Sequence, residues 1–147
     1  MIAVAEEGAR QLLARMARWA ELATRDPPDA FRAMGVEYVT FAVDHPGHFR
    51  AMHMPEYGSE TTLRTFKTSR SVAAALLREG QRRGTVRAGD VDQMVMAGHV
   101  FAYGIARMFV DGLFEADGIT RDQAKSIAEM LIDVVASGLR TRGVSTD

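Results

Sequence analysis

The sequence predicts an all-α fold, a single-domain bundle of about six helices. Three observations predict it. Apolar residues recur at three- and four-residue steps in four long stretches, the spacing of a helix face rather than of a strand. Proline, glycine and capping residues separate those stretches at helix-length intervals. No alternating run is long enough for a sheet, and there is no internal repeat. With 147 residues and 47% hydrophobic content, the chain can bury one core without disulfides, which its lack of cysteine excludes.

The first helix covers about 2–24, with Ile2, Ala5, Ala9, Leu12, Leu13, Met16, Trp19, Ala20 and Ala23 in helical register. No Ser, Thr, Asp or Asn precedes it to accept its free N–H groups, so it reads as the middle of a longer helix. Asp26-Pro27-Pro28-Asp29 breaks the chain, and Pro28 suits the first turn of a helix over 28–44. That helix gathers Phe31, Met34, Gly35, Tyr38, Phe41 and Ala42 on one face, and His45-Pro46 ends it. A shorter piece over 46–54 carries Phe49, Met52 and Met54, and residues 55–59 form a loop.

Residues 61–83 form a basic helix with Leu63, Phe66, Val72, Ala73, Leu76 and Leu77 inward and Gly84 as its stop. Asp90 caps the next helix, expected to reach about residue 114. Gly112 and Gly118 then open a loop. Thr120 and Gln123 make a capping box for a last helix to about Arg140, with Ile127, Leu131, Val134, Val135 and Leu139 inward. The tail from Thr141 is expected to fray.

The run 94–110 carries one formal charge, Arg107, and shows no amphipathic stripe. As a helix it must be covered on nearly every side. One core covers one face, so a second molecule is expected on the other. This points to a dimeric helical module rather than a self-contained enzyme.

Charge narrows the partners. The net charge of −1 gives no whole-molecule attraction to nucleic acid or membrane. Seven basic groups lie within 64–87 against the single acid Glu79, but without aromatic interleaving, so they read as a solvated helix face. The beginning of the chain lacks the basic segment of a signal peptide, and 94–110 is too short to span a membrane and carries His99 and Arg107. A soluble, cytoplasmic protein is expected.

Motifs of catalysis are missing: no GxSxG elbow, P-loop, helix-opening GxGxxG or HExxH. Acid pairs such as Glu6/Glu7 and Asp90/Asp92 sit at helix starts, where they meet the dipole favourably. No catalytic residue and no cofactor is therefore assigned. His45, His48 and His53 lack the i,i+4 spacing that places two imidazoles over one face, and a metal site completed by His99 or Glu56 is disfavoured. What remains is a soft interior of nine methionines and many aromatics, in which His53, His99, Tyr103 and Tyr38 could orient a ligand. From composition alone, a dense core without a cavity is the simpler reading.

Several stretches nevertheless resemble one family. Tyr38–Met52, containing Phe41-Ala42, His45-Pro46, Phe49 and Met52, resembles a pattern in the C-terminal regulatory domain of TetR-type transcriptional repressors, in the branch named for a Trp-His-Gly motif. Gly84-x-Val86-Arg87-x-Gly89-Asp90 resembles the connector before that domain's dimerisation helices. Val100–Gly112 resembles the motif helix, with the Trp-His-Gly positions falling on His99, Tyr103 and Gly104, so that only the glycine matches. Val4-Ala5-Glu6-Glu7-Gly8 resembles the helix that leaves the DNA-binding head.

The resemblance implies one effector-binding and dimerisation domain over 1–147. Its first helix, within 1–26, would follow a DNA-binding head missing from this chain. Its helices at 90–140 would pair with a second copy in a four-helix bundle. The implied interface is Gly98, Phe101, Ala102, Gly104, Ile105, Phe109, Ile127, Leu131, Val134 and Val135. An apolar or aromatic effector would contact Trp19, Phe31, Tyr38, Phe41, Met52, Met54, Phe66, His99 and Tyr103. Without a head the chain is not expected to bind DNA itself. The competing readings are a head-less heterodimerisation partner of full-length regulators and a small histidine-dependent helical enzyme.

Overall fold

The computed structural model describes residues 1–22 and 25–141, with the side chains of Ala20 and Leu22 left undescribed. Ala23 and the tail beyond Thr141 lie outside the described residues. The described residues form six α-helices in order: α1 Ile2–Leu22, α2 Pro27–Asp44, α3 Pro46–Met52, α4 Glu60–Arg83, α5 Val91–Val110 and α6 Ala124–Ala136. Short 3-10 turns at Pro55–Tyr57, Leu113–Asp117 and Arg121–Gln123 join them. Among the described residues the one β-type contact is a single bridge between Val86 and Arg140. The all-α expectation is met.

Local chemistry sets most boundaries. Asp26 accepts from the Asp29 backbone N–H, and both Pro27 and Pro28 occupy the first turn of α2, where a missing N–H costs nothing. Pro46 opens α3 directly after His45, so α2 and α3 meet at a corner. Ser59 caps α4, and Gly84 ends it in the left-handed conformation at φ +76°. Asp90 caps α5 through the Gln93 N–H.

Three expectations need correction. α5 stops at Val110, short of 114, because the Arg50 side chain from α3 donates to the Val110 carbonyl (2.8 Å) and Gly112 turns the chain at φ +74°. The Thr120/Gln123 capping box is formed, but it heads a 3-10 turn, and α6 begins at Ala124 and ends at Ala136 rather than Arg140. Thr141 does not fray: its N–H donates to the Thr85 carbonyl, and the Arg87 N–H donates to Leu139, which pins the end of the described chain to the α4–α5 connector.

α2 is the central helix, packed against all five others. Two apolar clusters surround it. One gathers Val39, Phe41, Phe49, Ala106, Phe109 and Ala128 between α1, α2, α3, α5 and α6. The other gathers Met34, Ala73, Leu77, Val91, Val95 and Leu139 between α2, α4, the start of α5 and the C-terminal segment. Leu63, expected inward, is 59% exposed near the start of α4. No helix among the described residues is long and apolar enough to cross a membrane.

Candidate functional site

Where the two clusters meet, packing leaves a cavity of about 70 Å³. α2 supplies Phe31, Met34, Gly35 and Tyr38 to its wall, and α5 supplies Val95, Gly98, Phe101 and Ala102. α6 closes the far side with Ile132 and Val135, and α4 places Ser69, Arg70 and Ala73 at the rim. Gly98 makes room for an aromatic wall: a Cβ there would lie 2.6 Å from the Phe31 ring. The volume holds a few small atoms but not an effector of ordinary size, so any larger guest must move the flexible Met16, Met34 or Phe31 or extend out past the rim.

Beside the cavity lies an aromatic and imidazole cluster that shares Tyr38 with it. His53 Nδ1 donates to the Phe49 carbonyl (2.8 Å), which leaves Nε2 as the acceptor for the Tyr38 hydroxyl (2.8 Å). The His53 ring packs against Phe49, Phe66 and Tyr103, with centroids 4.5, 5.7 and 4.9 Å away. Burial lowers the His53 pKa below 6.5 and pushes the Tyr38 phenol well above 10.0, so both stay neutral. His99 stands at the cavity rim, edge-on to Tyr38 at 5.6 Å. Partial desolvation, reinforced by the charge of Arg70, lowers its pKa too.

The expected effector contacts therefore separate. Phe31, Tyr38 and His99 line the cavity. Phe66 and Tyr103 belong to the His53 cluster, and Phe41 and Met52 are packed in the core at 0% and 4% exposure. Trp19 donates to Glu37 (2.9 Å) beside a polar groove on the other side of α2, and Met54 lies exposed in the turn after α3. The lining residues Gly98, Ala102, Ile132 and Val135 were not expected there. Only the volume left between two packed clusters identifies them, and spacing in the sequence carries no such signal.

The remaining histidines stand apart from this site. His45 and His48 lie 5.7 Å apart by ring centroid, and His45 Nε2 accepts from Arg15 (3.3 Å). Among the described residues, no three His, Asp or Glu side chains are grouped where a metal could be held.

The residues expected at a dimer interface also divide. Ala102, Ile105 and Phe109 point into the protomer's own core, at 4%, 5% and 3% exposure, and Gly98 backs onto Phe31. Phe101, Ile127, Leu131 and Val135 are half-buried. Gly104 and Val134 face outward, and a Cβ on Gly104 would meet open space. The outer faces of α5 and α6 also expose Met96, Val100 and Met130 at 63%, 62% and 56%, three residues outside the expected interface.

Comparison with known proteins agrees with this architecture. A solved structure, that of a protein with unknown function from Rhodococcus sp. RHA1, superimposes with a TM-score of 0.76 at 25% identity. The match covers 95% of this chain and 73% of that one. No curated protein matches the chain. The model of the tetracyclin repressor-like C-terminal domain family matches residues 31–135, which hold α3 to α5, most of α2 and α6, and every described lining residue of the cavity but Met16, Ala136 and Leu139. The chain belongs to the tetracyclin repressor-like C-terminal domain family.

Proposed function

We propose that this chain is the ligand-sensing and homodimerisation part of a TetR-like transcriptional regulator acting in the cytoplasm, with a small apolar or aromatic effector. One observation carries the reading: α5 and α6 each work on two sides. Their inner faces wall the cavity through Gly98, Ala102, Ile132 and Val135, and their outer faces expose Val100, Gly104, Met130 and Val134. An exposed apolar face next to an internal cavity suits a protein that pairs and senses with the same helices.

A second copy would cover the outer faces by an isologous, two-fold contact. Gly104 would let the two α5 helices approach closely, and it is the residue that matches the Trp-His-Gly branch. An effector would act by favouring one arrangement of α5 and α6 around the cavity. α1 packs on α2, α3 and α4, and would carry that change toward any DNA-binding head joined ahead of it.

Native mass spectrometry of the purified chain, followed by denaturing release, tests the reading. A species of twice 16.1 kDa carrying a small organic mass is the expected result. A monomer at concentrations well above micromolar, with no retained organic mass, would overturn it.

A further inference from the structure

We infer that the effector is an amphipathic anion, with its apolar body in the cavity and its acidic head against Arg70 at the rim. This rests on the reading of the cavity as a ligand site and adds the chemical class of the ligand. Among the described residues, no Asp or Glu lines the cavity, and two arginines do. Arg32 is neutralised by Asp133, which accepts from its Nε and, at 3.3 Å, from its NH2 group. Arg70 has no hydrogen bond or ion pair among the described residues, so one cation at the rim lacks a counterion.

The surroundings of Arg70 extend the same imbalance outward. Arg70, Val95 and His99 line both the cavity and an open groove of about 470 Å³ between α4 and α5, so the two spaces adjoin. The groove adds Lys67, Ser71 and Arg78, and its one acid, Asp92, lies 3.6 Å from Arg78. Among the described residues, Lys67 and Arg70 have no acidic partner. A guest too large for 70 Å³ that extends through this opening places its protruding end beside Lys67 and Arg70. An amine there would meet unopposed positive charge, and a neutral end would leave Arg70 unused. A carboxylate, phosphate or sulfonate supplies the missing charge, and the Arg guanidinium matches its geometry.

Isothermal titration of the whole chain with octanoate and phenylbutyrate, each against its matching primary amide, tests the class. Octyl phosphate and octyl sulfonate distinguish the kind of head. The expected result is tighter binding of an acid than of its amide by about tenfold, the range of a charge-assisted hydrogen bond partly shielded from water. Arg70→Gln brings that ratio close to one. Arg64→Gln, an exposed site on the same helix paired with Glu60, leaves it unchanged.

Proton NMR of His99 gives an independent readout. A bound anion offsets the Arg70 charge and raises the His99 pKa, and the amide does not. Equal binding of acid and amide, or a preference that survives Arg70→Gln, would overturn the anionic class and leave the cavity as a ligand site. If neither acids nor amides shift the resonances of Phe31, Tyr38 and His99, the cavity is not a ligand site and both readings fall.

Discussion

The Tyr38 hydroxyl donates to Nε2 of His53 across 2.8 Å, joining the centre of α2 to the residue that ends α3. The bond crosses the Pro46 corner and also sets the imidazole tautomer, because Nδ1 is committed to the Phe49 carbonyl. Tyr38 is 3% exposed and contributes to the cavity wall, so one side chain serves the corner and the cavity. Tyr38→Phe leaves the His53 acceptor largely buried without a donor. It should lower stability by about 1–2 kcal/mol, read as an earlier urea midpoint at unchanged slope.

His53 gives the fold a pH dependence whose sign is fixed. Its folded-state pKa lies below 6.5, so the fold favours the neutral imidazole. The contribution is complete above about pH 6.5 and is lost as pH falls below it, until the folded-state pKa is passed. His99 acts in the same direction. The melting temperature should therefore fall between about pH 7 and about pH 5, and His53→Gln, which can still accept from Tyr38, should flatten part of that slope. Glu7 and Glu79, held at about 2 by neighbouring arginines, keep their contributions to lower pH and lose them only between 4.5 and about 2.

Two glycines on α5 should respond in opposite ways to alanine. At Gly98 the added Cβ meets the Phe31 ring, whose nearest free space is the cavity. Gly98→Ala should cost about 1 kcal/mol in thermal unfolding and abolish binding of apolar probes by pushing Phe31 inward. At Gly104 the Cβ meets nothing, so within one protomer Gly104→Ala should raise stability by up to about 1 kcal/mol through helix propensity.

The Arg32–Asp133 pair ties α2 to α6 at the cavity wall, with side chains 27% and 56% exposed. Such a pair contributes little, and Asp133→Asn should lower stability by less than about 1 kcal/mol. The same change leaves Arg32 without its counterion beside the cavity. Titration with octanoate should then show stronger binding than in the wild type.

Helix boundaries were legible in the sequence wherever a single residue decides them. Asp26, Pro46, Gly84 and Asp90 each stop or start a helix by a local mechanism, and the fold follows them. The end of α5 was less legible, because the cation that meets its terminal carbonyl, Arg50, comes from 60 positions away. Which side of α5 faces outward was not legible either. In a nearly uniform apolar helix no polar stripe marks the exposed face, so Met96 and Val100 read no differently from Ile105 and Phe109. The Tyr38–His53 bond joins residues 15 apart around a corner whose angle no periodicity encodes. The cavity is a residue of packing between two clusters, and so belongs to no motif.

The central claim is that the outer faces of α5 and α6 hold two copies together while their inner faces wall the cavity. Sedimentation equilibrium of the wild type and of Gly104→Leu tests it most directly. Since a Cβ at that position meets open space, a helical protomer is expected to accommodate leucine there, which circular dichroism verifies. The account predicts a wild-type dimer of twice 16.1 kDa and a helical Gly104→Leu monomer. A Gly104→Leu protein as dimeric as the wild type, or a wild type that stays monomeric, would contradict it.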